Sequence, residues 1–205
     1  RFYAEQFIWE LYPDKPEEAY IEYFNEDFTK LDLYNNNLTS IPALAFGNLT
    51  GLNYLDLSDN NLSTIPDSIG KLIGLKILYL YGNNLTSIPA LAFDKLTGLN
   101  ILSLYNNNLN SIPALAFGKL TGLKKLYLSY NNLTNIPALA FGNLTGLNTL
   151  SLSNNNLSTI PDSIGKLSQL NELDLHSNNL TSIPDSIGNL SQLKQLYLFN
   201  NKLSK

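Results

Sequence analysis

A hydrophobic repeat runs along the chain from Phe28 onward. Full units follow the pattern L-x-x-L-x-L-x-x-N-x-L-x-x-I-P and recur every 23 or 24 residues. They begin at Leu52, Leu75, Leu99, Leu123, Leu147, Leu170 and Leu193. An irregular earlier unit begins at Phe28. Self-similarity at this period predicts a solenoid, in which each unit is one structural turn stacked on its neighbours.

The first part of each unit predicts a short strand followed by a turn. Leu78 and Leu80 alternate with other residues, so both side chains face one side of a strand. Asn83 follows at the turn, where its buried amide can bond backbone groups of its own and the adjacent unit. We therefore predict a structural asparagine ladder. It comprises Asn36, Asn60, Asn83, Asn107, Asn131, Asn155, Asn178 and Asn201.

The return segments are of two kinds. One kind reads I-P-A-L-A-F-x-x-L and supplies a phenylalanine as a core plug, at Phe46, Phe93, Phe117 and Phe141. The other reads I-P-D-S-I-G-x-L and places an isoleucine there, at Ile69, Ile164 and Ile187. In the second kind an aspartate follows the proline, where we expect it to cap a short helical turn. These aspartates are Asp67, Asp162 and Asp185.

The segment before the repeats predicts a helical cap. Apolar residues at helical spacing run from Phe2 to Tyr12, and Asp14 with Glu17 predicts the start of a second helix that ends near Phe24. We expect the cap core to contain Phe7, Trp9, Tyr20 and Phe24. The last unit stops at Lys205 without a cover, so we expect further chain or a partner there.

The repeat resembles the leucine-rich-repeat family from Phe28 to the C-terminus. The phenylalanine-plugged units are similar to those of Toll-like and lamprey variable receptors, and the isoleucine-plugged units to intracellular and bacterial types. The resemblance implies an α/β fold, a right-handed leucine-rich-repeat solenoid (horseshoe) with a parallel concave β-sheet and a helical N-terminal cap. We expect one continuous domain, with residues 1–27 as the cap and 28–205 as about eight units, the last incomplete.

The charge distribution and the composition restrict the classes of partner and the cellular settings that we expect. Residues 1–27 hold eight acidic and two basic residues, whereas residues 28–205 hold nine acidic and eleven basic residues without a basic stripe. We therefore expect no nucleic-acid partner, and no apolar run is long enough to predict membrane insertion. The chain has no cysteine, which favours an intracellular or bacterial setting, surface-exposed or secreted proteins included, over an animal extracellular one.

The single histidine is a candidate for catalysis or metal binding. Glu172, Asp174 and His176 alternate along one predicted strand, about 6.5 to 7 Å apart. There is no second histidine and no paired nucleophile, so we interpret these residues as polar rim. We predict no catalytic residue, metal site or cofactor.

Residues that flank the strand leucines point out of the concave sheet and can vary without harming the core. All eight tyrosines outside the cap lie on or beside these positions. We predict an exposed partner-binding patch there, formed by Tyr54, Ile77, Tyr79, Tyr81, Ile101, Tyr105, Tyr127 and Tyr130. Exposed aromatic residues commonly mark interfaces. The alternative is that tyrosine simply favours strands and stacks with its neighbours.

The sequence thus favours a protein-binding module that recognises a protein ligand through its concave face and is not an enzyme. Two alternatives remain open. The chain could be a structural or adhesin-type surface repeat protein, or the recognition part of a larger receptor or effector with its catalytic domain elsewhere. Self-association through the uncapped C-terminal end is a further expectation.

Overall fold

One parallel sheet of eight short strands organises the structure. The computed structural model describes residues 1–204, with helix α1 at Phe2–Leu11 and a 3₁₀ helix at Glu17–Glu22. The strands β1 to β8 are Lys30–Asp32, Tyr54–Asp56, Ile77–Tyr79, Ile101–Ser103, Lys125–Tyr127, Thr149–Ser151, Glu172–Asp174 and Gln195–Tyr197. They lie side by side in chain order. Three further 3₁₀ helices occupy Asp67–Lys71, Asp162–Lys166 and Asp185–Asn189 on the return side.

The register of the sheet follows the leucine repeat. Each strand pairs with the next in parallel so that its central leucine lies beside the equivalent leucine, as in Leu78 beside Leu102. These leucines are fully buried in β1 to β7. The predicted α/β, right-handed leucine-rich-repeat solenoid with a parallel concave sheet and a helical N-terminal cap is confirmed.

The asparagine ladder forms as predicted in every unit but the first, where the Asn36 side chain donates to a carbonyl of its own unit. Asn83 Nδ2 donates to the carbonyl oxygens of Leu80, at 3.1 Å, and of Leu57 in the preceding unit, at 3.0 Å. Its Oδ1 accepts the N–H of Leu62 at 3.0 Å. One side chain therefore satisfies backbone groups of two units, which explains why this position is always asparagine.

The return side is filled by the predicted plugs. Phe93, Phe117 and Phe141 are fully buried and stack on one another nearly face to face, with ring centroids 6.4 and 6.5 Å apart. Ile69 and Ile164 take the same role in the other kind of unit. The core therefore continues from unit to unit along the solenoid.

The prediction that Asp67, Asp162 and Asp185 cap helical turns is wrong in detail. Short 3₁₀ helices do begin at these aspartates, but the N-cap position belongs to the preceding proline and no side-chain cap hydrogen bond forms. The proline has already fixed the extended backbone before the helix, so the aspartate becomes its first residue. Its charge still lies near the positive end of the helix.

The N-terminal cap closes the first end of the core, although the prediction for Trp9 is wrong. Ala4, Phe7 and Ile8 are the buried face of α1, and Phe7 stacks on the first plug, Phe46, at 5.5 Å. Trp9 is 64% exposed because it lies two residues beyond Phe7, about 200° around the helix. Tyr20 and Phe24 are buried as expected.

The second cap element is shorter than predicted. It is a 3₁₀ helix that ends at Glu22, with Pro16 rather than Asp14 at the N-cap position and no side-chain cap bond. The chain must then reverse, because Phe24 makes an antiparallel bridge with Leu31 on β1. A longer helix would carry Phe24 away from this sheet edge.

At the other end of the solenoid, β8 lacks a cover within residues 1–204. Leu196, the central leucine of β8, is 37% exposed, whereas its seven equivalents are buried. Self-association through this end stays a prediction. None of the described helices is long and apolar enough to cross a bilayer.

Candidate binding surface on the concave sheet

The concave surface is built by residues that flank each buried leucine. The sheet register places Tyr54 beside Ile77 and Ile77 beside Ile101 in one column. A second column joins Asp56 to Tyr79, then Ser103 and Tyr127. Strand spacing is about 4.8 Å, so neighbouring side chains in a column touch.

Tyrosine rings meet edge to face on the second and third strands. The ring of Tyr79 lies 5.9 Å from that of Tyr54, at an interplanar angle of 87°. It lies 6.0 Å from the ring of Tyr81, at 62°. Edge-to-face contacts between aromatic rings are favourable by about 0.5–1.5 kcal/mol beyond their buried area.

A second pair stands at the rim, where the strands end. Tyr105 and Tyr130 are 40% and 49% exposed, and their rings meet at 5.2 Å and 62°. We use the name concave tyrosine patch for the eight residues Tyr54, Ile77, Tyr79, Tyr81, Ile101, Tyr105, Tyr127 and Tyr130.

The patch is more covered than the sequence predicts. Tyr105 and Tyr130 are exposed, but the other six members are half-buried. Ring-to-ring contacts and the close strand spacing cover the lower part of each side chain. The upper part of the patch remains accessible to a ligand.

The expectation that all flanking positions point freely outward also needs correction. Ser58, Ser103, Ser129 and Ser153 are buried on this face. Small side chains lie low between larger neighbours, and some bond one another: Ser153 Oγ donates to Ser129 Oγ at 2.9 Å. These serines make the floor of the surface rather than its contact points.

Tyr130 has an unusual backbone conformation. Its φ is +56°, in the left-handed region that bulky residues disfavour. The equivalent position, just before each ladder asparagine, is otherwise Asn35, Asp59, Gly82, Asn106, Asn154, Ser177 or Asn200. The departure from this small-residue series was the sequence signal for its strain.

Carboxylates flank the tyrosines on the same face. Asp56 is only 6% exposed and accepts hydrogen bonds from Ser58 N–H, Ser58 Oγ–H and the Tyr54 hydroxyl. Asp32 accepts from the N–H two residues later, Tyr34, at 3.0 Å. Lys30 Nζ lies 4.8 Å from the Tyr54 ring centroid, so this ring already holds a cation.

Burial and nearby acids keep two phenols protonated. Burial, followed by the charge of Glu172, raises the pKa of Tyr127 above its ordinary value. Burial, followed by the charge and hydrogen bond of Asp56, raises the pKa of Tyr54. Both phenols therefore ionise only at a more alkaline pH than an ordinary tyrosine, and the Tyr54 hydroxyl donates its hydrogen bond to Asp56.

Asp174 lies closer to His176 than predicted. Asp174 Oδ1 is 2.6 Å from His176 Nδ1 and also accepts the backbone N–H of His176 at 3.2 Å, so this carboxylate leans along the chain towards the imidazole. His176 also stacks on Phe199, with centroids 4.4 Å apart. Within residues 1–204 no cluster of His, Cys, Asp or Glu could hold a metal ion.

Known proteins share this architecture. A family model for leucine rich repeats matches residues 28–85, 73–133, 121–180 and 161–203. The structure of TLR13 in complex with ssRNA13 is 33% identical, with a TM-score of 0.78 over 85% of this chain and 25% of its own. The ectodomain of the Arabidopsis receptor kinase HAESA, in complex with an extended IDA peptide hormone, is 43% identical, with a TM-score of 0.73 over 83% and 30%.

A bacterial protein is similar as well. The Leptospira interrogans LRR protein LIC12759 is 32% identical, with a TM-score of 0.67 over 86% of this chain and 50% of its own. The chain thus spans half or less of each of these structures. Leucine-rich-repeat domains generally bind proteins and are generally non-catalytic scaffolds. With repeats matched from residue 28 to residue 203, the chain belongs to the leucine-rich-repeat family.

Proposed function

We propose that this chain binds a protein partner through the concave tyrosine patch. The supporting observation is that the fold does not require these rings. On β6 the equivalent positions are Thr149, Ser151 and Ser153, and that strand pairs with its neighbours in the same register. Strand preference and ring stacking alone therefore do not account for large aromatic residues on β2 to β5.

Tyrosine suits recognition for a physical reason. It offers a large contact area with few rotatable bonds, and its hydroxyl can bond a ligand at the edge of an apolar contact. Half-buried rings such as Tyr79 and Tyr81 are already held by their neighbours, so little side-chain entropy is lost when a partner binds. A pre-ordered aromatic surface of this kind favours a protein or peptide ligand.

The relatives offer two precedents for the ligand. HAESA is in complex with a peptide hormone, and TLR13 with an RNA. The charges favour the first for this chain, because RNA phosphates on this face would meet Asp32, Asp56 and Asp174. We propose a peptide or protein ligand and no nucleic-acid partner.

The patch distinguishes a binding module from a purely structural protein, but not from the recognition part of a larger protein. A spacer or adhesin-type surface repeat protein needs the core and the ladder but not the concave tyrosines. The recognition part of a larger receptor or effector needs the patch whatever else the protein carries. We propose no catalytic role for His176, and an activity that His176→Ala abolished would contradict this.

Four simultaneous substitutions test the proposal. We would capture partners from the source cells with the wild-type chain and with a variant that carries Tyr79→Ala, Tyr81→Ala, Tyr105→Ala and Tyr127→Ala. A retained partner would then be purified and its Kd measured by calorimetry. We expect a loss of about 100-fold or more, because central aromatic anchors dominate most interfaces.

Two controls make the result interpretable. Phenylalanine at the same four positions keeps the rings and should retain most of the affinity. Alanine at the exposed return-side leucines Leu91, Leu115 and Leu139 should change nothing. If the alanine variant folds with wild-type circular dichroism and binds every partner as tightly, the proposal is wrong.

A further inference from the structure

We propose that the ligand of the concave tyrosine patch is an extended, cationic peptide segment with arginine or lysine near both ends. This inference rests on the proposed function of the patch and adds the chemistry of its partner. It follows from the position of the carboxylates, from the faces of the tyrosine rings and from the width of the sheet.

Carboxylates lie on both sides of the patch. Asp32 and Asp56 stand on β1 and β2, and Glu172 and Asp174 stand on β7. Only two bases, Lys30 and Lys125, share these concave positions. A ligand that crosses the patch therefore meets negative charge at each end.

These carboxylates are not neutralised within the chain. Among residues 1–204, Asp32, Asp56 and Glu172 form no ion pair with lysine or arginine, and Asp174 lies beside His176 alone. Asp56 is nearly buried and relies on hydrogen bonds from Ser58 and Tyr54 instead. A cationic ligand would compensate charges that the fold leaves without a counter-ion.

The local backbone structure requires a hydrogen-bond acceptor at three of these positions, but it does not require a negative charge there. Asp32, Asp56 and Asp174 each accept the N–H two residues later, which an asparagine also does. The same column carries tyrosine or serine on β3 to β6, where the sheet continues unchanged. The negative charge is thus free to serve recognition.

The rings of the patch are suited to cations as well. Lys30 over the Tyr54 ring at 4.8 Å is an example within the chain. In the described part of the structure no cation lies over Tyr79, Tyr81, Tyr105 or Tyr127. Arginine stacks on such faces particularly well because its guanidinium is planar and weakly hydrated.

The width of the sheet sets the spacing of the ligand charges. Five strand steps separate β2 from β7, which is about 24 Å at about 4.8 Å per step. An extended peptide advances about 3.3 Å per residue, so two basic residues about seven positions apart would lie over β2 and β7. The long side chain of the first would reach the exposed Asp32 on the neighbouring β1, and the second would meet Glu172. The residues between them would cover Tyr79, Tyr105 and Tyr127.

A random dodecapeptide library displayed on phage tests this chemistry. We expect selection on the wild-type chain to enrich peptides with net positive charge and two basic residues about seven apart. A synthetic peptide from the pool should lose about tenfold or more in affinity when both basic residues become glutamine. Its binding should also weaken as salt rises.

Two matched sets of variants, one on the concave face and one on the return side, show which carboxylates contribute to peptide affinity. Asp32→Asn, Glu172→Gln and Asp174→Asn together keep the hydrogen-bond acceptors, and we expect them to weaken the peptide by about tenfold or more. The control, Asp67→Asn with Asp94→Asn and Asp162→Asn, removes the same charge from the return side and should leave the Kd unchanged.

The possible outcomes separate this inference from the proposed function. Enriched peptides that are neutral or acidic, yet lose affinity with the four tyrosine-to-alanine changes, overturn the cationic ligand and leave the patch as the binding surface. Peptides that bind regardless of the tyrosines, or no enrichment at all, overturn both. Cationic peptides whose affinity falls equally with both sets of carboxylate substitutions overturn the assignment of charge to the concave face.

Discussion

The rings of Tyr105 and Tyr130 meet edge to face 5.2 Å apart, and Tyr130 contributes its ring from a turn position where its φ is +56°. Asparagine occupies the equivalent left-handed position, Asn106, one unit earlier. The aromatic pair at the rim is therefore formed at a conformational cost. Strain of this kind is often found where a side chain serves binding.

Tyr130→Asn should stabilise the fold while it weakens ligand binding. Asparagine tolerates the left-handed region, so we expect a gain of about 0.5–1 kcal/mol in the free energy of unfolding, reduced by the lost ring contact. Urea unfolding measures this gain. The reciprocal change Asn106→Tyr should destabilise by a similar amount. A Tyr130→Asn variant that is clearly less stable would contradict the account of strain.

Asn107→Ala should be strongly destabilising. The change removes one of the two side-chain donors to each of the carbonyl oxygens of Leu80 and Leu104, and it leaves the N–H of Leu85 without a partner in a buried turn. We expect a loss of about 2–4 kcal/mol, measured by urea unfolding. Asn108→Ala in the same turn is the control, because Asn108 is exposed. Equal effects for the two variants would refute the ladder as a source of stability.

Phe117→Ala tests the stack of plugs. Removing this ring leaves a cavity between Phe93 and Phe141, for which we expect a cost of about 3–5 kcal/mol. Leu115→Ala, two residues earlier and exposed, should change stability by less than about 0.5 kcal/mol. Thermal melting compares the two, and a larger shift for Leu115 would be inconsistent with a continuous core.

Tyr127 should make stability depend on alkaline pH. Its pKa is raised in the folded chain, mainly by burial, so the unfolded phenol ionises first, near pH 10. The contribution of this group is fully present below that pH and is lost as pH rises through the folded pKa. Tyr127→Phe should make the decline in stability above pH 10 less steep. Urea unfolding at pH 9 to 11 measures the slope, and an unchanged slope would contradict a shifted phenol.

The repeated features of the fold could be predicted from the sequence. The strand leucines, the ladder asparagines such as Asn83 and the plugs such as Phe117 each recur once per unit. Every unit must satisfy the same packing and hydrogen-bond requirements, so the residue that meets each requirement recurs at a fixed period in the sequence. The columns of the concave face follow from the same register.

Features that occur once were harder to predict. Trp9 lies on the solvent-exposed side of a single short helix. The second cap element is a short 3₁₀ helix because Phe24 must reach Leu31. The contact between Asp174 and His176 depends on a carboxylate that leans towards the backbone N–H and the ring two residues later. Each of these depends on one tertiary contact, which no periodicity in the sequence reports.

Hydroxyl-radical footprinting of the tyrosines tests the central claim most directly, because ring oxidation reports the accessibility of each side chain. Oxidation would be compared by mass spectrometry with and without a saturating partner or selected peptide. We predict that Tyr79, Tyr81, Tyr105 and Tyr130 become protected, while the exposed Tyr3 on α1 is oxidised as before. Unchanged oxidation of those four tyrosines in a saturated complex would contradict recognition through the concave tyrosine patch.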